Sequence, residues 1–358
     1  MEAQTRCLNC TNFFQNDIIM SQPQRVVYLD SLKIMACLMI VLMHAPHPDA
    51  GISGVLLTPI SFLTAPGIGL FFMVSGALLL PVLSDTSSFL KRRLAKIVGP
   101  LLFWTFFYMI VTLLTGTMSV YDMGYSALSV LFSTQGHGVL WFLYTLAGLY
   151  LVAPIISPFL KKASERELQF YLMLWLVAMC FPIFSQIIEV NRSVTGVLYY
   201  FSGFLGYFVL GYYMHTYHPQ IPRLVIVCLF LFPIAFLAGY KLFEIDFDFY
   251  DVCGYLSILV GMMCIGWFYV IHRIMHVLKV KESRLMTEIS NCCFGIYLMH
   301  IFVMRYLLWH IDFIIFEYGG IGQILLIWLL TFVISLFFTY LISYLPFAEF
   351  IVGYKHKR

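Results

Sequence analysis

Short clusters of charge divide this chain into apolar blocks of about 20 residues, the length at which a helix crosses a bilayer core. No other feature limits the possible folds so strongly. Charged residues make up 11% of the chain and hydrophobic ones 61%, whereas soluble domains carry about 25% charge. A water-soluble fold of this size lacks the polar surface to cover so much apolar side chain. A β-barrel is excluded because the blocks are continuous, not alternating segments of about ten residues. The net charge of +3 is too small to indicate a nucleic-acid partner.

The sequence therefore predicts an all-α, polytopic membrane protein. Ten spans are expected, near residues 26–45, 62–83, 97–116, 138–160, 168–188, 196–215, 222–240, 253–275, 289–309 and 321–345. Residues 1–24 form a polar cytoplasmic tail without the apolar core of a removable signal peptide, so the first span reads as a retained anchor. Residues 25–345 form the membrane domain, and 346–358 a basic cytoplasmic tail. With both termini inside, 17 of the 21 Lys and Arg residues fall in cytoplasmic segments. The opposite loops collect acids such as Asp49, Glu189, Glu244, Asp246, Asp248 and Asp251. That asymmetry follows the positive-inside rule, and a span count wrong by one would scramble it.

Ionisable residues inside spans are costly and mark a site by default. The first span reads Asp30-Ser-Leu-Lys33, then ten residues, then His44. Eleven steps of about 100° return to nearly the same helix face, so Lys33 and His44 share it, roughly 16–17 Å apart along the axis. Asp30 lies near that face one turn below. A cation at one end and an imidazole at the other suit an extended ligand with an anionic head, Lys33 neutralising phosphate and His44 handling a proton. The competing reading has Lys33 snorkelling or pairing with Asp30 while His44 merely ends the helix. The spacing alone leaves both open.

Further blocks occur in order: Gly69-Leu-Phe-Phe-Met-Val-Ser75-Gly76; Phe89-Leu-Lys-Arg92-Arg93-Leu-Ala-Lys96 running to Pro100; Leu140-Trp141-Phe-Leu-Tyr144; Phe208-Val-Leu-Gly211; and Ile289-Ser290 followed by Gly295-Ile-Tyr297-Leu-Met-His300. Together with the first-span pattern these resemble the family 3 acyltransferases, integral-membrane enzymes that O-acylate glycans and lipids. The third block is similar to the bacterial surface-polysaccharide O-acetyltransferase branch. The resemblance covers roughly residues 26–345. It implies transfer of an acyl group, with acetyl expected, from cytoplasmic acyl-CoA as co-substrate to a hydroxyl of an envelope polysaccharide or lipid-linked glycan, by a multi-pass protein of the bacterial inner membrane with no bound cofactor or metal. The family has Arg where this chain has Lys33, which keeps the charge and loses the bidentate fork.

Under that resemblance His44 is the expected catalytic residue, either as a general base on the acceptor hydroxyl or through an acyl-imidazole. Lys33, Arg92, Arg93 and Lys96 are expected to bind the donor, although basic loops also serve topology. His300 is expected on the site wall with Tyr297 one turn before it, the alternative being a packed histidine. Arg305 would stabilise an oxyanion or grip an acceptor phosphate, or else form an interhelical ion pair. Gly67, Gly69, Ser75 and Gly76 read as close-packing positions, Ser75 also as a hydrogen-bonding one. The aromatic and acidic loop 243–251 suits a sugar or lies on headgroups, and Trp141 and Tyr144 read as interface anchors.

Cys7 and Cys10 form a lone CxxC, the other seven cysteines imply no disulfide framework, and no P-loop or HExxH occurs. Two rival functions stay open, a glycan or lipid transporter or flippase and a structural partner in an envelope complex.

Overall fold

The computed structural model describes residues 25–49, 52–116, 138–188, 196–243, 248–311 and 320–356, with the isolated positions 119, 122 and 124. The tail 1–24 with Cys7 and Cys10, and the loop positions Glu189, Glu244 and Asp246, lie outside them. The described residues form helices and turns without a strand. The helices are α1 (Val27–His44), α2 (Ile52–Thr64), α3 (Pro66–Leu79), α4 (Thr86–Leu114), α5 (Trp141–Lys162), α6 (Glu165–Ala178), α7 (Leu205–Tyr217), α8 (Arg223–Leu242), α9 (Phe249–Cys253), α10 (Ile258–Val277), α11 (Arg284–Ile301), α12 (Gly320–Ile342) and α13 (Ala348–Val352).

Their starts follow local chemistry. Asp85 accepts from the Ser88 amide at 3.1 Å ahead of α4, and Ser164 and Glu167 bond reciprocally at the start of α6. Ser283 accepts from the Met286 amide at 3.2 Å before α11. Each cap satisfies amides that a helix end would otherwise leave bare.

Nine segments among the described residues are long and apolar enough to cross a membrane, with α2 and α3 counted as one. The sequence-predicted span at 196–215 is the exception. There the helix, α7, has only 13 residues, about 20 Å of rise against a hydrocarbon core of about 30 Å. It is encased in protein. A Cβ at Gly76 would collide with the Phe208 carbonyl, and one at Gly211 with the Met73 backbone, so α3 and α7 touch backbone to backbone. Before α7, the Trp175 indole donates to the Gly203 carbonyl at 2.9 Å. Non-helical backbone at such depth is tolerated where protein surrounds it.

Counting α7 as a crossing agrees with where the ends of the described chain lie. Arg25 donates to the Asn291 side chain at 3.0 Å and to the Thr287 carbonyl at 3.4 Å. Tyr354 donates to Glu288 at 3.0 Å. Both ends of the described chain thus meet the beginning of α11, on one face of the bundle. An odd number of passes would put them on opposite faces; nine long segments plus α7 give ten.

Residues 346–356, within the stretch read from the sequence as a basic tail, are folded onto the bundle. The Trp104 indole donates to the Ile351 carbonyl at 2.8 Å, pinning α13 to α4. Gly353 adopts φ 67°, a left-handed conformation that glycine takes without a Cβ penalty, and the His356 amide donates to the Ser343 carbonyl at 2.9 Å.

Candidate active site

His44 is the last residue of α1. The following Ala45-Pro46 step ends the helix, because proline disfavours helical backbone in the residue before it. This leaves the imidazole at the end of the bundle opposite Arg25 and Tyr354. Its ring lies 5.4 Å from that of His300, centroid to centroid.

His300 is fully buried on α11. Its Nδ1 lies 2.5 Å from the Tyr297 carbonyl. A carbonyl only accepts, so Nδ1 carries the proton and Nε2 is left as an acceptor. That Nε2 has no protein partner among the described residues. Tyr297, one turn earlier, donates its hydroxyl to the Val139 carbonyl, and Tyr108 donates to the Leu298 carbonyl at 2.9 Å. These bonds fasten α11 to α4 and to the entry of α5.

Beyond Ile301 the backbone widens into a π-helical turn over Phe302–Leu307, a distortion frequent at functional sites. It delivers Arg305 to the cavities at His44. The guanidinium lies 5.6 Å from the centre of the Trp309 ring. No carboxylate pairs with it among the described residues.

Two cavities meet at His44. The larger, of about 900 Å³, is bounded also by Phe249, Tyr250, Asp251, Arg305 and Trp309. The smaller, of about 270 Å³, is bounded by Tyr108, Thr112, Trp141, Tyr297 and Arg305. Tyr255 lines both. Trp141, expected as an interface anchor, instead stacks on Tyr255 at 5.5 Å and 22° as part of the wall. Asp251 is held by the Gln186 amide at 3.0 Å.

The other expected residues separate into two places. Arg92, Arg93 and Lys96 line a third cavity, of about 790 Å³, near the opposite end of the bundle. Lys33 borders none of these three cavities. It is half-buried, within electrostatic reach of Cys37, Cys292 and Cys293. Pairing of Lys33 with Asp30 is not observed. Asp30 accepts from Arg25 at 2.5 and 3.0 Å and from Ser290 at 2.5 Å, which ties the start of α1 to α11. Ser75 is half-buried on α3 and lines neither cavity at His44, while Gly67 lies against Ala36 and Met39 of α1 and Gly69 against Cys264 and Tyr207, as close-packing positions.

Tyr108, Tyr255 and Trp309 were not legible as site residues. Tyr255 and Trp309 are aromatic residues near span ends, where aromatics are common for anchoring alone, and Tyr108 is one of five aromatic residues between 103 and 108 within its span.

Comparison with known proteins agrees with this architecture. No curated protein and no solved structure matches the chain. Residues 26–347 match the acyltransferase domain that defines the family 3 acyltransferases. That match takes in α1 with Lys33 and His44, the π-helical turn and every cavity-lining residue named above. The chain is a multi-pass membrane acyltransferase belonging to that family.

Proposed function

We propose that this acyltransferase moves an acyl group, acetyl being the expected one, from cytoplasmic acyl-CoA to a hydroxyl of an envelope polysaccharide or lipid-linked saccharide at the bacterial inner membrane. The observation that carries the reading is the position of His44 on the shared wall of two cavities. A transfer between two substrates needs one group in reach of both.

In this mechanism the acceptor occupies the larger cavity. Rings such as Tyr250 and Trp309 stack on the apolar face of a sugar, and Asp251 accepts from its hydroxyls. The thioester end of the donor enters the smaller cavity. His44 removes the proton from the acceptor hydroxyl as its oxygen attacks the thioester carbonyl. The negative charge on that carbonyl oxygen develops beside the Arg305 guanidinium, where a fixed cation lowers the barrier. Collapse of the tetrahedral intermediate breaks the carbon–sulfur bond, and His44 returns the proton to the departing thiolate. His300 is a positioning residue, its own orientation fixed by the Tyr297 carbonyl.

Donor recognition falls to the inner end. Arg92, Arg93 and Lys96 supply positive charge, and Lys33 stands roughly 16–17 Å along α1 from His44. A half-buried ammonium with no carboxylate partner among the described residues is costly in a membrane; although Lys33 borders none of the three cavities, an anionic donor bound nearby offsets that cost through its field.

The test is reconstitution of the purified protein in liposomes with labelled acetyl-CoA inside and envelope glycan outside. An ester label on the glycan, with release of free CoA, is expected. Glycan movement without thioester consumption would instead indicate a transporter.

A further inference from the structure

The basic cavity near the inner end contains more than phosphate-binding charge. Besides Arg92, Arg93 and Lys96 its walls include Glu349 and Phe350, both from α13. Phe350 is 49% exposed, beside a group of cations and at the polar end of the bundle. Its ring is seated on α4 at Gly99, where an added Cβ would come within 2.7 Å of the Phe350 Cδ2. The absence of a side chain at Gly99 thus makes room for the ring, and the Trp104–Ile351 bond of 2.8 Å holds its helix in place. Glu349 is exposed into the same space. Arg92 is already oriented, donating to Ser84 at 3.1 Å.

An exposed aromatic ring, a carboxylate and four cations, Lys91 with Arg92, Arg93 and Lys96, around about 790 Å³ form a combination that a phosphate alone does not use. Aromatic rings stack on nucleobases, carboxylates accept from exocyclic amines, and guanidinium and ammonium groups bind phosphate. We infer that the α13 segment completes a nucleotide-binding site, with Phe350 stacking on an adenine, Glu349 accepting from its amino group, and Arg92, Arg93 and Lys96 holding the phosphates. This rests on the donor reading above and assigns its nucleotide half to a part of the chain that the sequence presented as a tail.

The test compares two thioesters in the reconstituted protein: acetyl-CoA, and S-acetyl-N-acetylcysteamine, which lacks the nucleotide. Phe350→Ala and the bulkier Phe350→Leu are each expected to raise the KM for acetyl-CoA at least about fivefold, given the strength of base–aromatic stacking. Both should leave kcat and the KM for the short thioester unchanged. Direct binding of adenosine 3′,5′-bisphosphate, followed by thermal shift, should weaken in the same variants. An unchanged KM for acetyl-CoA, or an equal loss on both thioesters, would overturn the assignment. If the bisphosphate binds in a Phe350-dependent way and the wild-type protein consumes no acetyl-CoA, the donor reading fails while the nucleotide site stands.

Discussion

Arg305→Gln separates a catalytic cation from a structural one. In the folded protein this guanidinium touches the Trp309 ring at 5.6 Å and pairs with no carboxylate among the described residues. Its removal therefore strands no buried anion among the described residues. The structural cost is the lost cation–π contact, about 0.5–1 kcal/mol at an open site. If the residue were half of a buried ion pair, breaking it would cost about 3–5 kcal/mol. The catalytic cost runs the other way, since removing one group that stabilises an oxyanion lowers kcat about 10²- to 10³-fold, or about 2.7–4 kcal/mol. The expected result is a melting temperature close to wild type with turnover per folded molecule down by two orders of magnitude or more. Arg305→Lys should recover part of that rate, because it keeps the charge and loses the planar fork. The assay pairs melting in detergent micelles with single-turnover transfer from labelled acetyl-CoA. A variant that melts far below wild type yet turns over normally when folded would refute the reasoning.

His44→Ala should lower kcat about 10²- to 10⁴-fold while donor-dependent thermal stabilisation persists; loss of that stabilisation would mean that the histidine acts in binding. Lys33→Met should weaken the same stabilisation and Lys33→Arg should retain it, as read in an acetyl-CoA titration. Gly76→Ala should destabilise the bundle by about 1–3 kcal/mol, the usual cost of overpacking, because the new methyl meets the Phe208 carbonyl; the surviving folded fraction should keep its specific activity.

The sequence made the spans legible because each had to be apolar over its own length, and the basic loops fixed their parity. It could not show that α7 would be short, since the apolar stretch at 196–215 looks the same whether its first residues coil as a turn or as helix. The π-helical turn at Phe302–Leu307 was hidden for a similar reason: it depends on packing around α11, not on residue type. His44 stood out as an imidazole within a span. Trp141 and Tyr255 did not, because an aromatic that lines a cavity and one that anchors at an interface have identical local sequence. The folding of α13 onto α4 turns on a long-range contact, Trp104 to Ile351, which no local pattern encodes.

The Arg25–Asp30–Ser290 cluster fastens α1 and α11 together at the end of the bundle remote from His44 and His300. Each helix then acts as a measuring rod from a common zero point. Inserting a single residue between Asp30 and His44 would advance the imidazole by about 1.5 Å and swing it by about 100°, while His300 stayed where it was. The distance between anchor and imidazole is therefore a stricter requirement on this protein than the identity of the residues that fill it.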